Sequence, residues 1–264
     1  MSYAIEISGL TKEFLPLKNI YSLILRPLKK EKPFLAINDV NLRIKQDEIF
    51  CLMGPNGAGK TTLIKILSCL LLPTKGRAEV MGHDVLKDEA KVKSSIGLIG
   101  GDERNFYWRL TLRQNLYFFA KLYDLSNFQI KRKIEELSHL LEINGYLDKR
   151  FQECSSGIKQ RLTIARGLLN DAKVLFMDEP MKSLDLPSAR NLKNFIKKKL
   201  VEEQGKIIFF ISHNLNEVEN FADQIAIMHK SEIRISGTLS YLRNNVNSSS
   251  SSLEEIYTNI IKDS

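Results

Sequence analysis

Apolar residues divide this chain into segments of two kinds. Short runs with alternating or continuous apolar residues predict strands at 4–14, 34–44, 49–53, 78–81, 96–99, 174–177 and 207–211. Apolar residues at helical spacing predict helices within 112–147 and at 162–169, 188–203 and 253–261. Continuous runs such as those at 174–177 and 207–211 are typical of strands buried in a parallel sheet. The pattern therefore predicts an α/β protein with an open sheet.

The segment that follows the strand at 49–53 carries a phosphate-binding motif. It reads Gly54-Pro55-Asn56-Gly57-Ala58-Gly59-Lys60-Thr61, followed by Thr62. This is G-x-x-x-x-G-K-[ST] between a strand and a helix, the context that the motif requires. Glycines let successive N–H groups turn inward around an anion, and the helix adds the positive end of its dipole. Because Lys60 can neutralise phosphate and Thr61 can ligate Mg²⁺, we predict a nucleotide site.

Two of the predicted buried strands end in polar residues. Asp178 and Glu179 follow the strand at 174–177, and Ser212 and His213 follow the strand at 207–211. An open α/β sheet binds its ligand at the carboxyl ends of its strands. We therefore expect both carboxylates and the histidine to lie at the ligand site.

The composition limits the class of protein without identifying a partner. The chain has 264 residues, of which 43% are hydrophobic, enough for a sizeable core. A net charge of +8 is compatible with nucleic acid, an anionic membrane surface or simply a solvated surface. No apolar run reaches the roughly 20 residues of a membrane-spanning helix, and no secretory signal is visible. Three cysteines without metal-binding spacing indicate reduced thiols in a cytoplasmic protein.

A long segment at 15–33 separates the first two predicted strands. Ile20, Leu23 and Ile24 recur at helical spacing and basic residues gather after them, which predicts a short amphipathic helix broken at Pro27. Such a helix can pack on its own domain or against a membrane partner, and the sequence favours neither.

The motifs occur in the order and spacing of a known family. Besides the phosphate loop and the two strand ends, the chain contains Ser155-Ser156-Gly157 before a helix, Pro180 after Glu179, and Ser183-Leu184-Asp185. From residue 4 to about residue 243 the chain resembles the ATP-binding cassette (ABC) ATPases. The signature turn at 155–157, with Lys159-Gln160-Arg161-Leu162 after it, is specific to ABC proteins.

The resemblance implies the fold and its divisions. The expected fold is the α/β P-loop ABC ATPase fold, with a mostly parallel central sheet, an antiparallel β edge and an inserted helical subdomain. The ABC ATPase domain would span 1–243, including the insert at 15–33 and the helical signature subdomain at about 103–158. A Ser-rich linker and a short C-terminal helix would occupy 244–264.

The resemblance also implies ATP hydrolysis with ATP and Mg²⁺. The catalytic residues would be Glu179, which polarises the attacking water, His213, which contacts the γ-phosphate, and Lys60. Thr61 and Asp178 would bind the metal. The implied ATP-binding residues are the phosphate loop from Gly54 to Thr62 together with Phe14, Ser155, Ser156, Gly157 and Asp185. Phe14 would stack on adenine, with Phe34 as its rival.

Two such domains sandwich two nucleotides in this family, so the resemblance implies a homodimer. The signature turn would reach the γ-phosphate bound to the second subunit, and Asp185 would lie in the loop that crosses between subunits.

The chain departs from the family pattern at several positions. The Gln expected after the strand at 96–99 is absent, and Asp102 or Glu103 is the candidate replacement near Mg²⁺. Cys154 replaces a Leu, Ser156 a Gly and Ile158 a Gln. We expect the first change to be tolerated and the other two to slow turnover.

The segment from Asp102 to Asn115 resembles exporters of the ABC-2 type, in which a short ATPase pairs with a separate permease. The insert resembles ATPases of polysaccharide and lipid-linked glycan export, and drug or antibiotic export is equally compatible. The implied location is the cytoplasmic face of the cell membrane, with no nucleic-acid partner. The alternative is a soluble ABC ATPase of DNA repair or translation. Repair proteins usually carry long coiled coils between the phosphate loop and the signature, and no sustained heptads occur here.

Overall fold

The computed structural model describes residues 3–15, 33–100, 106–182, 184–245 and 252–262. Several predictions fall outside these ranges: most of the insert at 15–33, the candidate metal ligand Asp102 with Glu103, Ser183, and most of the Ser-rich linker.

The strands form two sheets. They are β1 (Tyr3–Phe14), β2 (Phe34–Lys45), β3 (Ile49–Met53), β4 (Lys75–Val80), β5 (His83–Asp84), β6 (Ile96–Gly100), β7 (Val174–Asp178), β8 (Ile207–Ile211), β9 (Gln224–His229) and β10 (Glu232–Gly237). The central sheet has the order β10-β9-β3-β8-β7-β6. The edge strand β10 is antiparallel to β9, and all other neighbouring strands in this sheet are parallel to each other. The second sheet is antiparallel, in the order β2-β1-β4-β5. The predicted α/β architecture is confirmed.

The helices surround the central sheet. They are α1 (Lys60–Leu67), α2 (Glu89–Ser95), α3 (Leu112–Lys121), α4 (Asn127–Leu140), α5 (Ser156–Gly167), α6 (Leu186–Phe195), α7 (Leu215–Glu219), α8 (Leu239–Asn245) and α9 (Leu253–Lys262). A π-helical segment, Ile196–Glu202, continues α6. Among the described residues, no helix is both long and apolar enough to cross a bilayer.

Two hydrophobic cores cover opposite faces of the central sheet, because side chains alternate along each buried strand. In β3, Cys51 packs into the core on the side of the helices α3 to α6, whereas Phe50 and Leu52 pack on the side of the antiparallel sheet. In β8, Phe210 packs on the side of the helices and Phe209 on the side of the antiparallel sheet. The parallel strands are therefore buried on both faces, as their continuous apolar sequences predict.

The helical pattern at 112–147 contains two separate helices, each started by a capping box. The Thr111 hydroxyl accepts a hydrogen bond from the Gln114 N–H at 3.1 Å, and the Gln114 side chain accepts one from the Thr111 N–H at 2.9 Å. Ser126 and Gln129 repeat the arrangement before α4. These reciprocal bonds satisfy N–H groups that a helix start leaves unpaired.

Candidate active site

The phosphate loop lies between β3 and α1 and is packed tightly against two neighbouring strands. Gly59 has a φ of 108°, and a Cβ on it would come within 2.2 Å of the Ala36 carbonyl oxygen in β2. A Cβ on Gly54 would lie 2.1 Å from the Met228 carbonyl oxygen in β9. Both positions therefore need glycine, and the loop can keep its inward-facing curve only with these residues.

Lys60, the first residue of α1, turns its side chain back over the loop. Its ammonium donates to the carbonyl oxygens of Gly54 at 2.7 Å and Pro55 at 2.9 Å. Burial lowers the pKa of Lys60, while the carboxylates of Asp178 and Glu179 raise it. The lysine side chain is thus fixed against the backbone of the phosphate loop.

Strand register brings the other predicted groups to the same edge of the sheet. Asp178 ends β7 opposite Gly100 of β6 and Ile211 of β8. The Thr61 hydroxyl lies 3.5 Å from the Asp178 carboxylate. Burial raises the pKa of the Asp178 carboxyl, and the neighbouring charge of Glu179 raises it further.

Glu179 and His213 are in direct contact at the ends of adjacent strands. The His213 Nε2 lies 3.0 Å from the Glu179 Oε1, and the Glu179 N–H donates to the Ile211 carbonyl at 3.0 Å. Glu179 has a φ of +50°, a left-handed conformation that is uncommon for residues other than glycine and is often found at functional sites.

Hydrogen bonds to Glu217 in α7 hold the loop that carries His213. The Ser212 hydroxyl donates to the Glu217 carboxylate at 2.8 Å and accepts from the Asn214 N–H at 3.1 Å. The Asn214 side chain caps α7 by accepting from the Glu217 N–H at 3.2 Å. These bonds fix the backbone on both sides of His213.

A cavity of about 750 Å³ joins these groups, a volume within the range of small-molecule sites. It is lined by Phe34, Ala36, Asn56, Gly57, Gly59, Lys60, Thr61, Thr62, Gly100, Asp178, Glu179, Lys182, Ile211 and His213. Phe34 is thus a wall of the cavity, whereas Phe14, its cross-strand partner, is not among the lining residues. The structure favours Phe34 over Phe14 for contact with a base.

The residues present fit a nucleotide with Mg²⁺. Two neighbouring oxygen ligands of octahedral Mg²⁺ lie about 3 Å apart, close to the 3.5 Å between the Thr61 and Asp178 oxygens. Among the described residues, no group of three or more His, Cys, Asp or Glu could hold a metal ion. Mg²⁺ usually takes one or two protein ligands and completes its shell with phosphate and water, so this donor set suits it.

The signature turn lies at a different cavity. Ser155 caps α5 by accepting a hydrogen bond from the Ile158 N–H, so the helix begins at Ser156 rather than at 162 as predicted. A smaller space of about 160 Å³ is lined by Ser155, Gly157, Ile158, Arg161, Leu184, Ser188, Asn191 and Leu192. Asp185 caps α6 beside it and accepts from the Ser188 N–H at 2.7 Å, a bond that lowers the pKa of the Asp185 carboxyl.

Comparison with known proteins agrees with this geometry. Residues 37–182, more than half of the chain, match the sequence pattern of the family described as ABC transporter. The chain belongs to the ABC transporter family. It is 36% identical over 213 residues to the ABC transporter ATP-binding protein NatA of Bacillus subtilis, a match that covers 81% of this chain and 86% of NatA. Some other relatives are much longer, and the chain spans 12% of one and 36% of another.

Solved structures share the fold of this ABC protein. The structure of cbiO1 from Clostridium perfringens, part of the transporter complex cbiONQ, superposes with a TM-score of 0.78 at 23% identity, covering 93% of this chain and 92% of cbiO1. A bacterial ABC transporter cassette solved as a dimer gives a TM-score of 0.73 at 24% identity, covering 89% of this chain and 98% of the cassette. The ABC ATPase fold is confirmed, and the chain is an ABC-type ATPase that binds ATP.

The sequence of this ABC ATPase left one charged lining residue unrecognised. Lys182 stands three positions after Glu179, and its N–H donates to the Glu179 carbonyl at 3.0 Å. Pro180 at the second position is the available signal, because proline favours that position of a tight turn. The turn returns Lys182 to the cavity.

Proposed function

We propose that this chain hydrolyses ATP as one of two identical subunits arranged head to tail, and that it drives export through a separate membrane permease. The observation that carries the proposal is the division of the site: the phosphate loop, Asp178, Glu179 and His213 share one cavity, while the signature turn lines another.

Within one chain, the proposed chemistry uses residues that line one cavity. The phosphate loop and Lys60 bind the β- and γ-phosphates. Glu179 accepts the proton of the water whose oxygen attacks the γ-phosphorus, and the bond to the bridging oxygen breaks to leave ADP. His213 contacts Glu179 and orients the water and the γ-phosphate. The Ser212–Glu217 bond holds the loop that carries His213. Thr61 and Asp178 would hold Mg²⁺, which neutralises phosphate charge when bound.

The position of the signature turn supports the proposal of a second copy. Ser155 is exposed at the start of α5, where unpaired backbone N–H groups and the helix dipole favour an anion. It does not line the phosphate-loop cavity of its own chain. A second copy, turned head to tail, would supply this helix start to the γ-phosphate and complete the site.

The transport partner is supported by sequence rather than by contacts. The segment from Phe106 to Asn115 belongs to the part that resembles ABC-2 exporters. Tyr107 and Trp108 in it are exposed large apolar residues, each about half accessible, which is the kind of surface that a partner protein covers. We place the subunit at the cytoplasmic face of the membrane on this basis.

The alternative of a soluble ABC ATPase in DNA repair is not favoured. Between the phosphate loop and the signature, the described residues form strands β4 to β6 and helices α2 to α4 rather than a long coiled coil.

Dimerisation tests the proposed arrangement. Glu179→Gln protein, which retains ATP, is expected to form a dimer with ATP and Mg²⁺, and adding Ser155→Arg should return it to monomer because the arginine fills the space for the partner's phosphate. Size-exclusion chromatography with light scattering measures both.

Ser126→Arg is the matched control, since Ser126 is also an exposed N-cap whose hydroxyl accepts from the third residue of its helix. Loss of either cap costs about 1 kcal/mol. Dimers that persist with Ser155→Arg, or that vanish equally with Ser126→Arg, would contradict the head-to-tail arrangement.

A further inference from the structure

Both oxygens of the Glu179 carboxylate are engaged by neighbouring side chains. His213 Nε2 lies 3.0 Å from Oε1, and Lys182 Nζ lies 2.6 Å from Oε2. Lys182 also lines the nucleotide cavity, so the residue that pairs with the proposed base borders the space where phosphates would bind. In this arrangement the Lys182 ammonium is paired with one of the two Glu179 oxygens that could accept a proton from water.

The backbone brings Lys182 to this place. Glu179 has a φ of +50°, and the turn from Glu179 to Lys182 is closed by the 3.0 Å bond from the Lys182 N–H to the Glu179 carbonyl. A non-glycine residue in the left-handed region is strained, so the surrounding structure must hold this turn. The position of Lys182 over the carboxylate is therefore built into the turn and does not depend on the side chain alone.

The Lys182–Glu179 ion pair is weak enough to be replaced by a pair between Lys182 and a terminal phosphate. The Lys182 side chain is 69% exposed, and exposed ion pairs contribute little because water competes with them. Its hydrogen bond to Glu179 raises the pKa of the Lys182 ammonium, which keeps it charged at neutral pH. A terminal phosphate offers several charged oxygens, and charge-assisted bonds to phosphate are among the stronger hydrogen bonds.

Lys60 and Lys182 differ in what holds them. Lys60 is buried and bound to two carbonyl oxygens of the phosphate loop, so the loop fixes its position. Lys182 lines the same cavity, and its exposed side chain is bonded to the proposed catalytic carboxylate. Both lysines line the cavity, so both can contribute charge to a terminal phosphate bound there.

We propose that Lys182 is a second phosphate-contacting lysine of this site, which pairs with Glu179 while the γ-phosphate is absent and moves to the γ-phosphate when ATP binds. The exchange frees Glu179 for the attacking water and makes binding selective for ATP over ADP. This inference rests on the proposed role of Glu179 in hydrolysis.

The test compares nucleotide affinities in Lys182→Met, which keeps the length of the side chain and removes its charge. The probes are ADP and the non-hydrolysable β,γ-imido analogue of ATP, each with Mg²⁺, titrated into the purified protein by calorimetry. We expect affinity for the analogue to fall about tenfold, as the loss of one charge-assisted bond predicts, while affinity for ADP changes less than about twofold. Lys182→Arg should retain most of the selectivity.

Lys91→Met is the matched control. Lys91 is exposed to a similar degree and pairs with Asp88 at the same three-residue sequence separation, away from the cavity. It should alter neither affinity.

Equal weakening of both nucleotides, or no change in either, would overturn the proposal. So would a fall in turnover with an unchanged ratio of the two affinities, because Lys182 would then only position Glu179. These affinities are read without turnover, so they stay informative if Glu179→Gln shows that Glu179 is not the base.

Discussion

Replacing Glu179 by Gln is expected to lower ATP turnover by about a hundredfold or more while ATP still binds. Glutamine keeps the shape of the side chain but cannot accept a proton from the attacking water. The phosphate loop is made by Gly54, Gly59 and Lys60, none of which bonds to the Glu179 side chain, so the cradle should remain intact. Phosphate release at saturating ATP measures turnover, and calorimetry measures ATP affinity.

Glu203→Gln is the control for this change. Glu203 is also paired with a lysine, Lys199 at 2.8 Å, but it lies at the far end of the helix that continues α6 and not in the cavity. It should leave turnover within about twofold of the unaltered protein, as for most surface changes. Turnover of Glu179→Gln within a few-fold of the unaltered protein would remove Glu179 from the role of base.

Phe209→Ala is expected to lower the free energy of unfolding by about 3–5 kcal/mol. Phe209 is fully buried in β8, and its ring centroid lies 5.1 Å from that of Phe50 and 5.5 Å from that of Phe176. Each neighbour comes from an adjacent strand of the sheet, so truncation leaves a cavity that the rigid strands cannot close. Denaturant titration followed by circular dichroism measures the loss.

Phe128→Ala provides the comparison, because Phe128 at the start of α4 is 75% exposed. Its removal should change the free energy of unfolding by less than about 0.5 kcal/mol. A loss for Phe209→Ala no larger than that for Phe128→Ala would contradict the assignment of Phe209 to the core between the two sheets.

The strands that position the site were predictable because burial on both faces leaves a continuous apolar sequence. β7 and β8 are such strands, and each extends within about one residue of its predicted limits. β9 and β10 were not predicted. β10 is an edge strand in which every residue is half-buried or exposed, and such a short segment resembles a loop in sequence.

The site was predictable to the extent that its groups follow buried strands. The register of β6, β7 and β8 brings Asp178 and Ile211 to one edge, as the rule for open sheets requires. Lys182 reaches the cavity because the backbone of Glu179 is left-handed. A glutamate in the sequence does not predict that conformation. Phe14 and Phe34 pair across two strands, so only the three-dimensional arrangement separates the one that lines the cavity.

In the proposed dimer each active site is shared between two copies of this chain, and mixing two inactive variants tests this sharing most directly. Lys60→Met removes the charge of the phosphate loop, and Ser155→Arg blocks the signature turn. In a mixed dimer, one site combines both defects and the other combines the intact loop of one copy with the intact turn of the other.

We expect each variant alone to be inactive and an equal mixture to regain ATP hydrolysis, up to about half of the unaltered rate, because only the mixed dimer is held together by ATP at an intact site and it carries one intact site of two. Phosphate release from the mixture, measured at saturating ATP and Mg²⁺, gives the answer. A mixture that hydrolyses ATP no faster than the average of its two components would contradict the shared site.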